Sequence, residues 1–295
     1  MGIKSSISMS ANRHAISDHA RKSRIFDEFT IYQYMSFFLI ILMLISVFFY
    51  GFGINALIPV VISVLTTAIL DLLINYYKFK TLELPYSAFI SGLFIGGLLA
   101  QNLAWYIYVL AGIIAILSKH IIKVHGKHIF NPANLGILAV FVLFNAPNTW
   151  WISSPFYLVV LFGLFILWRQ RRFDLALSFI AAYYILHAFI PEPAMMGRMP
   201  MMSNIQMMMG NLYQSFTSQS TIFFFAMFML IEPKTHPAAR KQRIFYGILA
   251  AAMLIGIEIY NPRFGIPFVL AVANLAVPLL NRISFEVRKK KAEAA

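Results

Sequence analysis

The sequence has no cysteine, which excludes disulfides, thiolate catalysis and any iron–sulfur cluster held by this chain alone. Charge is scarce too: 12% of residues are charged, against roughly 25% in a soluble domain. The remainder is strongly apolar, with 60% hydrophobic residues over 295 positions. Such a surface needs lipid as its solvent, and the repeated apolar runs override the one or two globular domains that length alone suggests. Acidic residues number 11 against 24 lysines and arginines, a net charge of +13. In a soluble protein that excess would suggest nucleic acid. Here the basic residues sit in loops between apolar runs, where they anchor topology, so no nucleic-acid partner is expected. Residues 1–31 show no cleavable signal pattern and are polar with mixed charge, as a cytoplasmic tail would be.

A helix needs about 20 apolar residues to cross the hydrocarbon, fewer when it is buried inside a bundle. Ten stretches qualify: 33–52, 55–77, 85–100, 103–122, 132–146, 155–168, 174–190, 216–232, 243–260 and 265–281. With the N-terminus inside, every lysine and arginine except Arg198 and Arg263 falls on the cytoplasmic side. One miscounted span would invert all later loops and destroy that asymmetry, so the ten-span count is self-consistent. The expected location is the inner (plasma) membrane, with both termini cytoplasmic.

Ten spans divide into five and five, and an odd-numbered half must recur upside down. Ile129-Phe130-Asn131-Pro132 opens the fifth span, and Ile259-Tyr260-Asn261-Pro262 opens the tenth. Ser87–Ala100 corresponds in character to Ser220–Leu230, and Tyr106–Leu117 to Phe245–Ile257. The fold expected is therefore an all-α membrane protein of about ten transmembrane helices in two inverted five-helix repeats. Residues 32–150 and 151–283 form the repeats, and 284–295 a basic cytoplasmic tail. Asn-Pro suits a helix start, because proline lacks a donor that the first turn cannot satisfy. The free amides there can meet an anionic or carbonyl group of a ligand, or simply be capped at the membrane edge.

Two stretches carry a resemblance. Ser118-Lys119-His120 with Gly126-Lys127-His128-Ile129-Phe130-Asn131-Pro132-Ala133-Asn134 resembles the glycine/lysine-to-NPA segment of the NqrB/RnfD (NQR2/RnfD/RnfE) membrane subunits. Phe228 to Pro237, with Glu232-Pro233-Lys234-Thr235 at its centre, is similar to that family's FMATDPVTSP segment. Tyr246-Gly247, Asn261-Pro262 and Ala273-Asn274-Leu275-Ala276-Val277-Pro278 follow as in the family. The resemblance implies a urea-transporter-like fold, other subunits of a membrane redox complex as partners, and flavins that carry electrons. It points to Lys119, Gly126, Asn131, Asn134, Glu232, Lys234, Asn261 and Asn274 as the cofactor-binding set. Family members carry FMN on a threonine in Ser-Gly-Ala-Thr. Here the corresponding region reads Ser-Phe-Thr-Ser-Gln-Ser-Thr, without the glycine and alanine. The expected cofactor is accordingly FMN or riboflavin held without a covalent bond. The central part is shorter than in the large family members, as in a divergent relative of the UnbU-like kind, and a small-solute or ion transporter on the same scaffold stays open as the alternative.

Other residues are read individually. Asp71 and Glu258 lie in apolar spans, where carboxylates mark ion or proton paths or pair with a neighbour such as Lys78. Glu232 orients a ligand or pairs with Lys234. His120, His125 and His128 crowd a basic loop expected to face solvent and phospholipid. The loop 191–212 is rich in methionine. Met199, Met201, Met202 and Met207 could ligate Cu(I), although thioethers also serve as apolar filler, and no metal site is expected otherwise. Gly92, Gly96 and Gly97 offer a small-residue face for close helix contact.

Overall fold

The computed structural model describes residues 30–80, 84–124, 126–188, 220–260 and 265–293. Ten helices occur among them: α1 (Ile31–Phe49), α2 (Leu57–Phe79), α3 (Tyr86–Leu98), α4 (Trp105–Ile121), α5 (Pro132–Phe144), α6 (Phe156–Gln170), α7 (Phe173–Ala188), α8 (Ser220–Phe224, continued by a π-helical turn Phe225–Met229), α9 (Arg240–Tyr260) and α10 (Gly265–Glu293). Each coincides with one expected span. Helix α10 extends past the expected end at 281 and continues through the basic residues up to Glu293. Four segments, 31–49, 54–79, 240–260 and 265–283, are long and apolar enough to cross a bilayer unaided; the other helices are shorter and apolar.

Local chemistry sets the helix ends. Thr30 and Gln33 form a capping box at α1, each side chain taking the other's backbone N–H. Asn131 caps α5 by accepting from the Asn134 N–H, with Pro132 in the first turn. Lys80, Asn145 and Arg171 stop α2, α5 and α6 in the left-handed conformation.

Cross-contacts sort the helix ends into two groups. At one end, Gln33 donates to Tyr86 Oη, Lys119 meets Asp71, His128 meets Glu232, Arg172 meets His236 and Asn281 accepts from the Ala238 N–H. That end collects the basic loops and is called the basic end below. The stretches 119–128 and 234–243 therefore share one face. At the opposite end, Ser153 lies 3.3 Å from Ser220 and Thr221, and Tyr183 donates to Glu258.

Helix α3 has 13 residues, about 20 Å of rise, which cannot span a bilayer core of about 30 Å. Its C-terminal carbonyls are met by the 146–153 loop instead. The Thr149 and Trp150 N–H groups donate to Leu98 O (2.8 and 3.2 Å), the Ala100 N–H to Pro147 O, and Trp151 Nε1 to Gly96 O at 3.0 Å. Non-helical backbone at this depth is tolerated because protein groups, not lipid, surround it. Helices α3 and α8 are the most buried of the set. Phe94 packs edge-on against Phe224, which stacks on Phe228 at 4.9 Å. Helices α2, α4, α7 and α9 turn their outward faces, including Leu65, Ile69, Leu73, Leu177, Ile185 and Ile248, toward lipid.

Candidate functional site

Between α1, α3, α5 and the C-terminal end of α8, the basic end opens into a small cleft; the space between and in front of its walls, open solvent included, is about 460 Å³. Its apolar walls are Ile31, Met35, Ile90, Phe94 and Phe228; Tyr32, Ser87, Ser91, Asn131, Gln170 and Glu232 bring polar atoms to it. Phe94 and Phe228 close its inner side. Gln170 Oε1 is buried and has no hydrogen-bond partner among the described residues. An unmet buried acceptor costs about 1–3 kcal/mol, so a donor supplied by a ligand would be rewarded here.

Glu232 follows the π-helical turn of α8 and precedes Pro233. Its Oε1 lies 3.0 Å from His128 Nε2, and Thr235 Oγ1 donates to Oε2 at 3.4 Å. Lys234, the expected partner, is exposed and forms no ion pair with it. His128 belongs to a two-stranded hairpin, β1 (Lys123–Val124) and β2 (Lys127–His128), turned at Gly126 with φ of +76°. His128 is thus buried against Glu232, not solvated.

Behind the cleft, the two asparagine-proline regions interlock. Asn134 is fully buried and donates through Nδ2 to Pro267 O in α10 at 2.8 Å. Asn274 is also fully buried. Its amide is satisfied when its oxygen accepts from the Asn131 N–H (3.1 Å) and its nitrogen donates to Thr235 O (3.0 Å) and Tyr246 Oη (2.7 Å). Of the expected set, Asn131 and Glu232 line the cleft directly, and Asn134 and Asn274 brace it. Gly126 shapes the hairpin, and Lys119 is turned away. Asn261, Met199, Met201, Met202 and Met207 lie outside the described residues. Among those described, no three His, Asp or Glu side chains gather as metal ligands.

Lys119 instead donates to both oxygens of Asp71, at 3.0 and 2.9 Å, and His120 Nε2 lies 2.7 Å from Oδ1. Asp71 is 2% exposed. The expected pairing with Lys78 is replaced by these contacts, because α4 brings Lys119 and His120 to that face. A second cluster joins α7 and α9, where Arg243 donates to Asp174 Oδ2 from Nε (2.9 Å) and Nη2 (2.6 Å). Arg172 donates from Nε to His236 Nε2 at 3.0 Å, and His236 Nδ1 donates to Pro237 O.

Burial, reinforced by Arg172 and Arg243, pushes the His236 imidazole down to about 4. The folded protein holds it neutral while the unfolded chain takes up a proton near pH 6.5. The unfolded state then binds more protons across that window, so this contribution is intact above about pH 6.5 and is lost as pH falls to about 4. Thermal melts of detergent-solubilised protein from pH 7.5 to 4 should show a steady decline worth about 3 kcal/mol from this group. His236→Gln should flatten it; a variant curve parallel to the wild type would assign the acid sensitivity elsewhere.

Sequence reading missed Tyr32, Ser87, Ser91, Gln170, Phe94 and Phe228 as cleft residues. The i, i+4 pair Ser87 and Ser91 in an otherwise apolar helix was the available signal. The others are defined only by packing between distant segments.

Apolar helices with two groups of ends, braced by buried polar pairs around a cleft, define a polytopic membrane protein. Residues 18–156, a stretch that includes α1 to α5, match the model of the NQR2, RnfD, RnfE family, which is what this part of the chain is similar to. No curated protein matches the chain.

Proposed function

We propose that this chain is an integral membrane subunit of an Nqr/Rnf-like electron-transport system and that it holds a flavin non-covalently in the cleft at the basic end. The observation that carries the reading is the cleft itself. Tyr32, Phe94 and Phe228 offer apolar faces to a flat ring. Asn131, Ser87, Ser91 and the unpaired Gln170 Oε1 match the polar edge of an isoalloxazine. Among the described lining residues Glu232 is the one formal charge and is an anion, so riboflavin suits the cleft better than the phosphate of FMN. A bound flavin would supply one- and two-electron chemistry. The chain's own groups bind and orient the ring, shield its inner side from water, and keep Glu232 and His128 at its entrance. Ser220 and Thr221 are tied to Ser153 at the opposite end, which supports attachment without a covalent bond.

The cytoplasm is proposed on the side of the basic end, by the positive-inside rule. An inverted repeat of 32–150 and 151–283 is supported by contacts between corresponding helices. These are Phe38 of α1 on Phe162 of α6 (4.4 Å), Phe94 of α3 on Phe224 of α8, and Asn134 of α5 on Pro267 of α10. A pseudo-twofold axis brings equivalent elements together in this way. The solute-transport alternative ranks second, because Phe94, Phe224 and Phe228 fill the space between the halves where a polar path would run.

Protein purified in mild detergent from riboflavin-replete cells should be yellow. Heat or acid should release its flavin, leaving no fluorescent band on a denaturing gel. Phe228→Ala should lower the flavin-to-protein ratio several-fold while the elution profile stays unchanged. A colourless wild-type preparation with no extractable flavin would sink the proposal.

A further inference from the structure

The cluster where α6, α7 and α9 meet has an unbalanced charge. It holds two guanidinium groups, Arg172 and Arg243, close enough to repel each other, and one carboxylate, Asp174, that acts on Arg172. Asp174 Oδ2 already accepts both donors from Arg243. Among the described residues the acceptors of Arg172 are neutral: His236 Nε2 at 3.0 Å and Arg171 O at 3.4 Å. His236 cannot supply the missing negative charge, since its Nδ1–H is committed to Pro237 O and its Nε2 serves only as a neutral acceptor. A half-buried guanidinium beside a second one, with the shared carboxylate consumed, calls for an external anion.

The surroundings indicate which anion. The cluster sits at the basic ends of three apolar helices, where the chain meets the bilayer interface. Trp168 in the last turn of α6, Phe173 at the start of α7 and Phe245 near the start of α9 are exposed and lie within four positions along the chain of Arg172 or Arg243. Exposed aromatic rings flanking cations at helix ends are the arrangement that meets lipid headgroups and the first methylenes of their chains. Arg171 and Lys241, both exposed, add positive charge from the adjoining positions of the chain.

We propose that Arg172, with Arg171 and Lys241 at its rim, binds the phosphate of one anionic phospholipid, its acyl chains lying against Trp168, Phe173 and Phe245. The site lies outside the cleft and does not depend on a flavin. An anionic headgroup is favoured over a zwitterionic one because the corner carries net positive charge and, among the described residues, no carboxylate there is free to meet a choline.

The test uses delipidated full-length protein in a neutral detergent. Melting is followed by intrinsic tryptophan fluorescence after adding dioleoylphosphatidylglycerol, dioleoylphosphatidylcholine or inorganic phosphate. Phosphatidylglycerol should raise the melting temperature saturably, and phosphatidylcholine and phosphate should do little. Arg172→Gln should weaken the apparent affinity for phosphatidylglycerol about fivefold, the size of one basic contact at the membrane surface. Arg172→Lys should retain most of it. Native mass spectrometry of the wild type gives a readout that needs no variant: one phosphatidylglycerol should remain at activation energies that strip phosphatidylcholine. Equal retention of the two lipids, equal thermal shifts with them, or an unaltered response in Arg172→Gln would overturn the assignment. A shift from inorganic phosphate matching that from the lipid would overturn the commitment to a lipid.

Discussion

Asp71→Leu is expected to destabilise the protein by about 3–5 kcal/mol, enough to abolish a monodisperse peak on fluorescence-detected size exclusion. Asp71 is the buried acceptor for Lys119, through both oxygens, and for His120. Removing the carboxylate leaves an ammonium group, itself largely buried, on the face that α4 packs against α2. Breaking one side of a buried pair costs more than the pair contributes, because the remaining charge has lost water and partner together. The double variant Asp71→Leu/Lys119→Met should therefore recover most of the loss, although each single change is severe. If Asp71→Leu alone melted like the wild type, the pair would not brace α2 and α4. If the double variant were as damaged as the sum of the singles, the cost would lie in packing, not charge.

Gly96→Leu should be comparably damaging for a steric reason. A Cβ at Gly96 would overlap the backbone of Val60, so α3 would have to move away from α2. Gly92 is in the same position against Val64. The contact is backbone to backbone, so no rotamer change relieves it, and overpacking of this kind costs about 1–3 kcal/mol or more. The displacement would also break the bond from Trp151 Nε1 to Gly96 O and unseat the loop that covers the end of α3. Gly256→Ala in α9 is the control. A Cβ there meets nothing within 4 Å, and the gain in helix propensity, about 1 kcal/mol, should leave stability unchanged or slightly raised. The melting temperature should thus fall in Gly96→Leu and hold or rise slightly in Gly256→Ala. Equal and small effects would mean that α2 and α3 are farther apart than the structure places them.

The reading of small residues as packing surface in α3 was available from sequence, since Gly92, Gly96 and Gly97 recur at helical spacing in an apolar run. Which helix they would contact was not. The expected pairing of Asp71 with Lys78 followed from local proximity along one helix. The true partners are 48 and 49 residues away, and they win because α4 presents them to the same buried face. Glu232 shows the same pattern. Lys234 is two residues away, but the chain turns at Pro233 and leaves it in solvent, while the hairpin after α4 delivers His128 from 104 residues away.

The sequence by itself determined where the ten apolar helices lie and which basic loops gather at one end of the bundle. Lipid imposes both, through the length of each apolar run and the side on which cations collect, and those signals are local and additive. Tertiary structure alone decided which polar groups are paired, which helix is short and capped by a loop, and which side chains enclose the cleft. These depend on contacts between segments far apart in the chain, and a buried polar atom takes whichever partner packing brings within about 3 Å.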